Sequence, residues 1–262
     1  MDFINSFLGA AGPTKPEALE PSHPYYPLDV AIPAYVPNEA PLPALVASMA
    51  GMLGCALLSA SLVALKVNPN LTKCNLALVC WFVLNGCLHC FFEGYFVLNH
   101  ATLASSQNVL AQLWKEYALS DSRYLTSDFF MLSVESITAF AWGPLCFANA
   151  VAIVKGCPLR YALRIAVCMA HLYGVALYFG TSLSQYYYTG LSHSRPEVLY
   201  FWVYYVGCNL PWALIPSVLL FDSVRTVNRA MKALDKVEDT LSTHRQKNEA
   251  AEGRKAEPRK TK

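Results

Sequence analysis

One apolar stretch of this chain is long enough to span a bilayer and yet carries three polar side chains. Residues 81–99 read WFVLNGCLHCFFEGYFVLN, and Asn85, His89 and Glu93 follow one another at intervals of four. Side chains four residues apart lie on one stripe of an α-helix. A carboxylate at membrane depth costs roughly 2.5–3.5 kcal/mol, so Glu93 is expected to face the protein interior beside a partner. The stripe therefore indicates a functional site.

The composition is typical of a membrane protein. Of the 262 residues, 55% are hydrophobic and only 15% are charged, whereas soluble domains average about 25% charged residues. Apolar stretches long enough to cross a bilayer occupy approximately residues 43–65, 76–98, 129–154, 161–180 and 198–220. We predict an all-α polytopic membrane protein, a bundle of five transmembrane helices formed by residues 42–222.

The segments outside these spans differ in character. Residues 1–41 are rich in proline and predict an irregular arm, with the aromatic residues of its HPYYP motif at the membrane interface. Residues 99–128 are too charged to cross the bilayer and are expected at one mouth of the bundle. Residues 223–262 are basic and dense in charge, which predicts a largely disordered tail.

The distribution of basic residues predicts the orientation. Most Lys and Arg lie in the loops after the first and third spans and in the C-terminal tail. The positive-inside rule places these segments in the cytosol and the N-terminus in the lumen. Arg259-Lys260, near the C-terminus, fits a dibasic retrieval signal for the endoplasmic reticulum membrane. The one Asn-x-Ser/Thr sequence, at Asn70, lies in a predicted cytosolic loop and is expected to stay unglycosylated.

Polar stripes also occur in two other spans. Carboxylates and an imidazole inside one bundle suit an ion path, a proton relay or an acid–base site. A transporter of charged solutes usually shows internal symmetry, which this sequence lacks. An apolar cavity rimmed by aromatic rings suits a lipid-like molecule with permanent or transient cationic character, since indole faces stabilise cations. The stripes are Asn85, His89 and Glu93; Glu135, Thr138 and Trp142; and Tyr205, Asn209 and Trp212.

Structural interpretations remain open for several of these residues. His89 could bond a backbone carbonyl, Asn209 could join two helices, and Trp212 could be a packing residue. Trp142, beside a Gly-Pro pair expected to kink its helix, is interpreted as structural. His171 and Tyr178, which have no partner that the sequence identifies, are interpreted in the same way.

The nine cysteines lie mostly within apolar stretches, where they act as small hydrophobic residues rather than as a disulfide framework. The spacing Cys87-Leu88-His89-Cys90 resembles a metal-binding pair. No second pair with suitable ligand spacing accompanies it, so the sequence predicts no metal site.

Five segments follow one another as they do in the emopamil-binding protein family, whose members are Δ8–Δ7 sterol isomerases with an EXPERA-type membrane domain. They are LHCFFEGYFVL, QLWKEYALSDSRY, ESITAFAWGP, LYGVALYF and LYFWVYYVGCNLPWALIP. The resemblance covers roughly residues 23–222. It implies a five-helix bundle that encloses a sterol-sized cavity and an isomerase that uses no cofactor. The reaction moves a ring double bond from C8=C9 to C7=C8 by protonation and deprotonation through a carbocation.

The resemblance also implies site residues and partners. The expected catalytic residues are His89, Glu93, Glu135 and Trp212, and the expected substrate-binding residues are Thr138, Asn209, Tyr124 and Tyr205. The implied partners are a Δ8 sterol, cationic amphiphilic amines that mimic the carbocation and inhibit, and the lipid bilayer. We expect no nucleic-acid partner, and the sequence leaves both a monomer and a homodimer open.

The residue types suggest how the reaction proceeds. His89 and Glu93, one helical turn apart, can hydrogen-bond and pass a proton. Glu135 either stabilises the cation or performs one of the two proton transfers, and a buried neutral carboxylic acid could serve as donor. Val175 replaces an acidic residue of the family, which leaves open whether the fourth span contacts substrate. The alternatives are a non-catalytic sterol- or amine-binding protein and, more distantly, a proton or ion transporter.

Overall fold

The computed structural model describes the backbone of residues 23–256 and the side chains of residues 23–249. Within this range the fold is helical and contains no strand. The helices are α1 (Leu42–Val67), α2 (Lys73–Asn99), α3 (Val109–Tyr117), α4 (Phe129–Val154), α5 (Leu159–Thr189) and α6 (a π-helix at Leu199–Gly207 followed by an α-helix at Leu210–Ala256). All of them except α3 are long and apolar enough to cross a membrane, so the predicted all-α fold with five membrane spans is confirmed.

The fourth membrane helix is longer than its apolar pattern predicts. The sequence places its end near residue 180, whereas α5 continues to Thr189 because no residue in that extension breaks a helix. The helix ends at Gly190, which has φ 72° and ψ 1°. This left-handed conformation is favourable for glycine and is a common helix terminator.

Widened π-helical turns interrupt α2, α4 and the start of α6, at Leu88–Glu93, Thr138–Trp142 and Leu199–Gly207. In α4 the π-helical turn ends directly before Gly143 and Pro144, where the sequence predicts a kink. Pro144 has no N–H to donate to the preceding turn, which accounts for a disturbance at this point. Because π-helical turns are frequent at functional sites, these three segments mark where a site is expected.

Three connecting segments meet at one end of the bundle. Ser122, in the short 3-10 helix at Ser122–Leu125, donates its hydroxyl to the carbonyl of Tyr26 in the arm and its N–H to the carbonyl of His193. The amide of Arg195 donates to Leu119 O at 3.1 Å. The arm, the α2–α4 connection and the α5–α6 loop therefore share one side, as five membrane crossings require.

Tyr25 in the N-terminal arm packs inside the protein rather than at the membrane interface. Its side chain is 2% exposed, its ring lies 5.3 Å from that of Tyr35, and its hydroxyl donates to Lys115 O at 3.0 Å. The interfacial position predicted for the arm's aromatic motif is therefore wrong for this residue, because tertiary contacts with α3 cover it.

The tail also differs from its prediction. The chain stays helical to Ala256, where the sequence predicts disorder beyond residue 223. Residues 225–249 contain many Ala, Lys, Leu and Glu residues, which favour helices, and Arg245 Nε lies 3.0 Å from Glu249 one turn later. The predicted retrieval signal at Arg259-Lys260 lies outside the described residues, as do residues 1–22 of the predicted arm.

Candidate active site

A cavity of about 450 Å³ opens between α2, α4, α5 and α6, with α3 and the 3-10 helix at one end. Its volume falls in the range of pockets that enclose most of a drug-sized ligand. The wall is mainly apolar and aromatic, and it contains the carboxyl groups of Glu93 and Glu135 and the imidazoles of His89 and His171. The further aromatic rings on the wall are Phe92, Trp114, Tyr117, Tyr124, Phe130, Trp142, Tyr178 and Trp212.

His89 and Glu93 lie in the π-helical segment of α2 and contact each other directly. Nδ1 of His89 is 2.8 Å from both carboxylate oxygens of Glu93. The imidazole is 3% exposed, so this pair is largely removed from water. The contact that the four-residue spacing predicts is therefore present, and it brings an exchangeable proton to the cavity wall.

His171 on α5 extends this pair, although the sequence suggests a purely structural role for it. Its Nε2 lies 3.0 Å from Nε2 of His89, and its side chain is 5% exposed. Nδ1 of His171 is buried and has no hydrogen-bond partner among the described residues. If Nδ1 of His89 carries the proton and donates a hydrogen bond to Glu93, then Nε2 of this neutral ring is an acceptor. The proton in the hydrogen bond between the two rings then belongs to Nε2 of His171.

Glu135 on α4 receives a hydrogen bond from the hydroxyl of Tyr124 at 3.0 Å and lines the same cavity as Glu93. Two ionised carboxyl groups on the wall of one apolar cavity repel each other, which favours a state in which one of the two is protonated. Burial and the neighbouring Glu135 raise the pKa of Tyr124, so its phenol stays protonated and donates. The site thus contains both an acid and a base.

Trp212 on α6 faces the cavity, and a contact on its far side holds the ring in place. Its Nε1 donates to Oδ1 of Asn85 at 2.7 Å, and Nδ2 of Asn85 donates to Trp81 O at 2.7 Å. Asn85, the first polar residue of the α2 stripe, therefore orients an indole. Trp142, interpreted from the sequence as structural, lies on the cavity wall as well.

The predicted substrate-binding residues fall into two groups. Thr138, Asn209 and Tyr124 line the cavity. Nδ2 of Asn209 donates to Tyr205 O at 2.8 Å. Tyr205 itself does not line the cavity, since its ring packs 5.4 Å from that of Tyr178 behind the wall. Its position does not support the predicted contact with substrate.

Helix α5 contributes to the cavity wall. The sequence leaves this open, because Val175 stands where the family has an acidic residue. Val175 lines the wall together with Ala170, Gly174 and Tyr178.

Gly143 lets α2 and α4 approach each other beside His89. A Cβ atom at this glycine would lie 3.1 Å from both Cys90 N and His89 Cβ, closer than ordinary packing allows.

The cysteine spacing in α2 does not gather metal ligands. The described His, Cys and carboxylate side chains that lie close enough to share an ion are His89, His171 and Cys146 of α4, whose ligand atoms are within 4.8 Å of one another. Cys87 and Cys90 are not part of this group.

Comparison with known proteins gives concordant matches. The family model of EXPERA, the expanded EBP superfamily, matches residues 109–223. A 3-beta-hydroxysteroid-Delta(8),Delta(7)-isomerase of Rattus norvegicus is 37% identical over 86% of this chain and 97% of its own length. A probable isomerase of the same name from Arabidopsis thaliana is 36% identical over 77% and 87% of the two chains. An isomeliandiol synthase of Melia azedarach is 34% identical over 64% and 78%.

Proposed function

This chain belongs to the EXPERA family, the expanded EBP superfamily, and from that membership we propose that it is a sterol Δ8–Δ7 isomerase. Its relatives at 36–37% identity over most of the chain are named for this isomerisation. It is an enzyme of the intramolecular isomerase class, and it acts on a substrate dissolved in the membrane that its helices cross.

One observation carries the proposal: two carboxyl groups and two imidazoles line a cavity that is otherwise mainly apolar. The reaction adds one proton to C9 of a Δ8 sterol and removes one from C7, so no electrons and no water are exchanged. The site therefore needs one acid, one base and a means of stabilising the cation at C8. It needs no redox group.

The contacts suggest a division of labour. The Glu93–His89 pair delivers the proton to C9, and the carboxylate of Glu135, hydrogen-bonded by Tyr124, removes the proton from C7. Glu93 and Glu135 line the same cavity, so the proton gained by Glu135 can return to Glu93 within it and restore the starting state. Proton transfers between positioned groups of this kind typically contribute about 10²–10⁴-fold to rate.

The carbocation at C8 is stabilised by its surroundings. In a cavity of low dielectric, a nearby carboxylate lowers the energy of a cation far more than it would in water. The indoles of Trp212 and Trp142 on the wall add a cation–π attraction of about 2 kcal/mol when desolvated. Cationic amphiphilic amines are therefore expected to bind in the same place and inhibit.

We further propose that the protein resides in the endoplasmic reticulum membrane with a lumenal N-terminus. The end of the bundle where Lys155, Arg160 and Arg164 lie would face the cytosol, in line with the positive-inside rule. The opposite end, where the arm meets the α5–α6 loop, would face the lumen.

The decisive experiment supplies membranes containing the full chain with a Δ8 sterol and analyses the product. The proposal expects the Δ7 isomer, and in deuterated water no more than one deuterium per turnover, at C9. Binding of the Δ8 sterol without conversion would instead support a non-catalytic sterol- or amine-binding protein. Direct assay of the Δ8 sterol is essential, because relatives such as the one from Melia azedarach are named as synthases of different products.

A further inference from the structure

We propose that His89, His171 and Cys146 form a binding site for Zn²⁺ beside the cavity, whose wall contains the two histidines. The three side chains come from α2, α5 and α4, and all of them are buried. This inference goes beyond the isomerase function, because metal binding can be measured whether or not the chain is catalytic.

The geometry is close to that of a zinc site. The two Nε2 atoms lie 3.0 Å apart, and all three ligand atoms lie within 4.8 Å of one another. Ligands at roughly 2.0–2.3 Å from a tetrahedral Zn²⁺ stand about 3.3–3.8 Å from each other. The imidazoles must therefore separate slightly and the thiol must approach for the three side chains to share one ion.

The donor set and its support suit this metal. Two imidazoles and one thiolate are ligands that zinc prefers, and three protein ligands leave a fourth position open. Glu93 accepts the Nδ1 proton of His89, which is the carboxylate–histidine arrangement that directs a free Nε2 lone pair at a metal. The open fourth position would face the cavity, where a water molecule can occupy it.

The proton changes that metal binding requires can be followed atom by atom at this site. The Cys146 thiol releases its proton to solvent, since the thiolate is the ligand. The proton on Nε2 of His171 leaves that atom and a proton is taken up at Nδ1. Nδ1 has no partner among the described residues, so this change of tautomer breaks no hydrogen bond other than the one between the two histidines.

Metal binding would have a functional consequence, which rests on the proposed function. The ion would coordinate Nε2 of His89, and together with the Cys146 thiolate it would place a net positive charge beside the position of the C8 cation. Zn²⁺ is therefore expected to inhibit isomerisation and to compete with cationic amines.

The test uses the purified full chain in detergent, with Co²⁺ as a spectroscopic substitute for Zn²⁺. Coordination by Cys146 produces a thiolate-to-cobalt charge-transfer absorption, with one metal bound per chain and displacement by Zn²⁺. Cys168 on α5 is also a fully buried free thiol, and it does not belong to the group. The band should persist in Cys168→Ala and disappear in Cys146→Ala. Cys146→Ser retains a side chain of the same connectivity and should lose the band too, because the absorption requires sulfur.

Activity measurements separate the proposed metal site from the proposed isomerase function. In Cys146→Ala, basal isomerisation should persist while inhibition by Zn²⁺ weakens at least about tenfold, as for loss of a zinc-supporting group. A band of equal strength in wild type and Cys146→Ala, or no band in wild type, would overturn the metal site. A cobalt band in a protein that converts no Δ8 sterol would overturn the proposed function and leave the metal site standing.

Discussion

Nε2 of His89 on α2 and Nε2 of His171 on α5 lie 3.0 Å apart on the wall of one cavity. The other ring nitrogen of His89 contacts Glu93 at 2.8 Å, so three side chains form a continuous row from one helix to another. A change in the protonation of any member alters the hydrogen bonds of the next. The row connects the carboxyl group that is proposed to deliver a proton with a histidine whose Nδ1 has no hydrogen-bond partner within the described part of the chain.

The first prediction concerns His171 as a positioning residue. His171→Phe removes the group that holds Nε2 of His89, so isomerisation should fall roughly 10²-fold, the lower range for a proton-transfer group. His171→Gln, which can still donate a hydrogen bond, should recover part of this loss. The pH–rate profile should shift in the Phe variant more than in the Gln variant. A uniform fall in activity with an unchanged profile in both variants would instead indicate a packing role.

The second prediction concerns Glu93. Glu93→Gln retains the shape but cannot deliver or receive a proton, so turnover should fall by about 10²–10⁴-fold. Glu116→Gln is the matched control. Glu116 is also partly buried, and burial raises its pKa, while Tyr204 donates a hydrogen bond to it at 3.2 Å outside the cavity. The control should retain activity, and near-normal turnover of the Glu93 variant would remove that residue from the proton path.

The third prediction concerns Glu135 and Tyr124, which donates a hydrogen bond to it. Glu135→Gln should abolish isomerisation, since the amide neither accepts the C7 proton nor carries the charge that stabilises the cation. Tyr124→Phe removes the hydrogen bond to Glu135 and should cost less, about tenfold, because the carboxyl group remains. Both variants are compared for turnover of a Δ8 sterol in membranes at equal protein level. A larger loss in Tyr124→Phe than in Glu135→Gln would contradict this order.

The contacts in this site that the sequence predicts are those between residues on one helix. The spacing of His89 and Glu93 brings them together locally, and the predicted contact is present. The contact between His89 and His171 joins residues 82 positions apart, and no periodicity within one helix reveals it. The only signal is that His171 and Tyr178, seven residues apart, share the face of α5 that lines the cavity.

The position of Tyr205 shows a different limit of periodicity. Its assignment to one stripe with Asn209 and Trp212 assumes α-helical rotation. The structure is π-helical at Leu199–Gly207, and a π-helix rotates less per residue than an α-helix. Tyr205 therefore points at Tyr178 behind the wall while the other two face the cavity. The widened turn has no recognisable sequence pattern here.

The fourth prediction concerns cation binding by Trp212. Trp212→Leu removes the indole face, which is worth about 2 kcal/mol in a desolvated site, so the Kd of a cationic amphiphilic amine should rise roughly thirtyfold. Trp202→Leu is the control, since Trp202 on the same helix is 61% exposed and does not line the cavity. Binding is measured with a radiolabelled amine on membranes. Equal affinity in the two variants would exclude Trp212 from the cation site.

The last prediction concerns orientation, and Asn70 reports on it together with two engineered acceptors. Asn70 lies between α1 and α2 at the end proposed to be cytosolic, and should stay unglycosylated, although a site this near the membrane can escape modification on either side. An acceptor on a short flexible insert after Gly190 tests the α5–α6 loop, which begins there and not near residue 182 as the sequence suggests. A second acceptor after Glu249 lies about 36 Å along the helix from Arg225, at about 1.5 Å per residue, well clear of the bilayer. Mobility shifts sensitive to endoglycosidase should appear for the first insert and not for the second. The reverse pattern would invert the proposed orientation, and glycans at both sites would rule out five crossings.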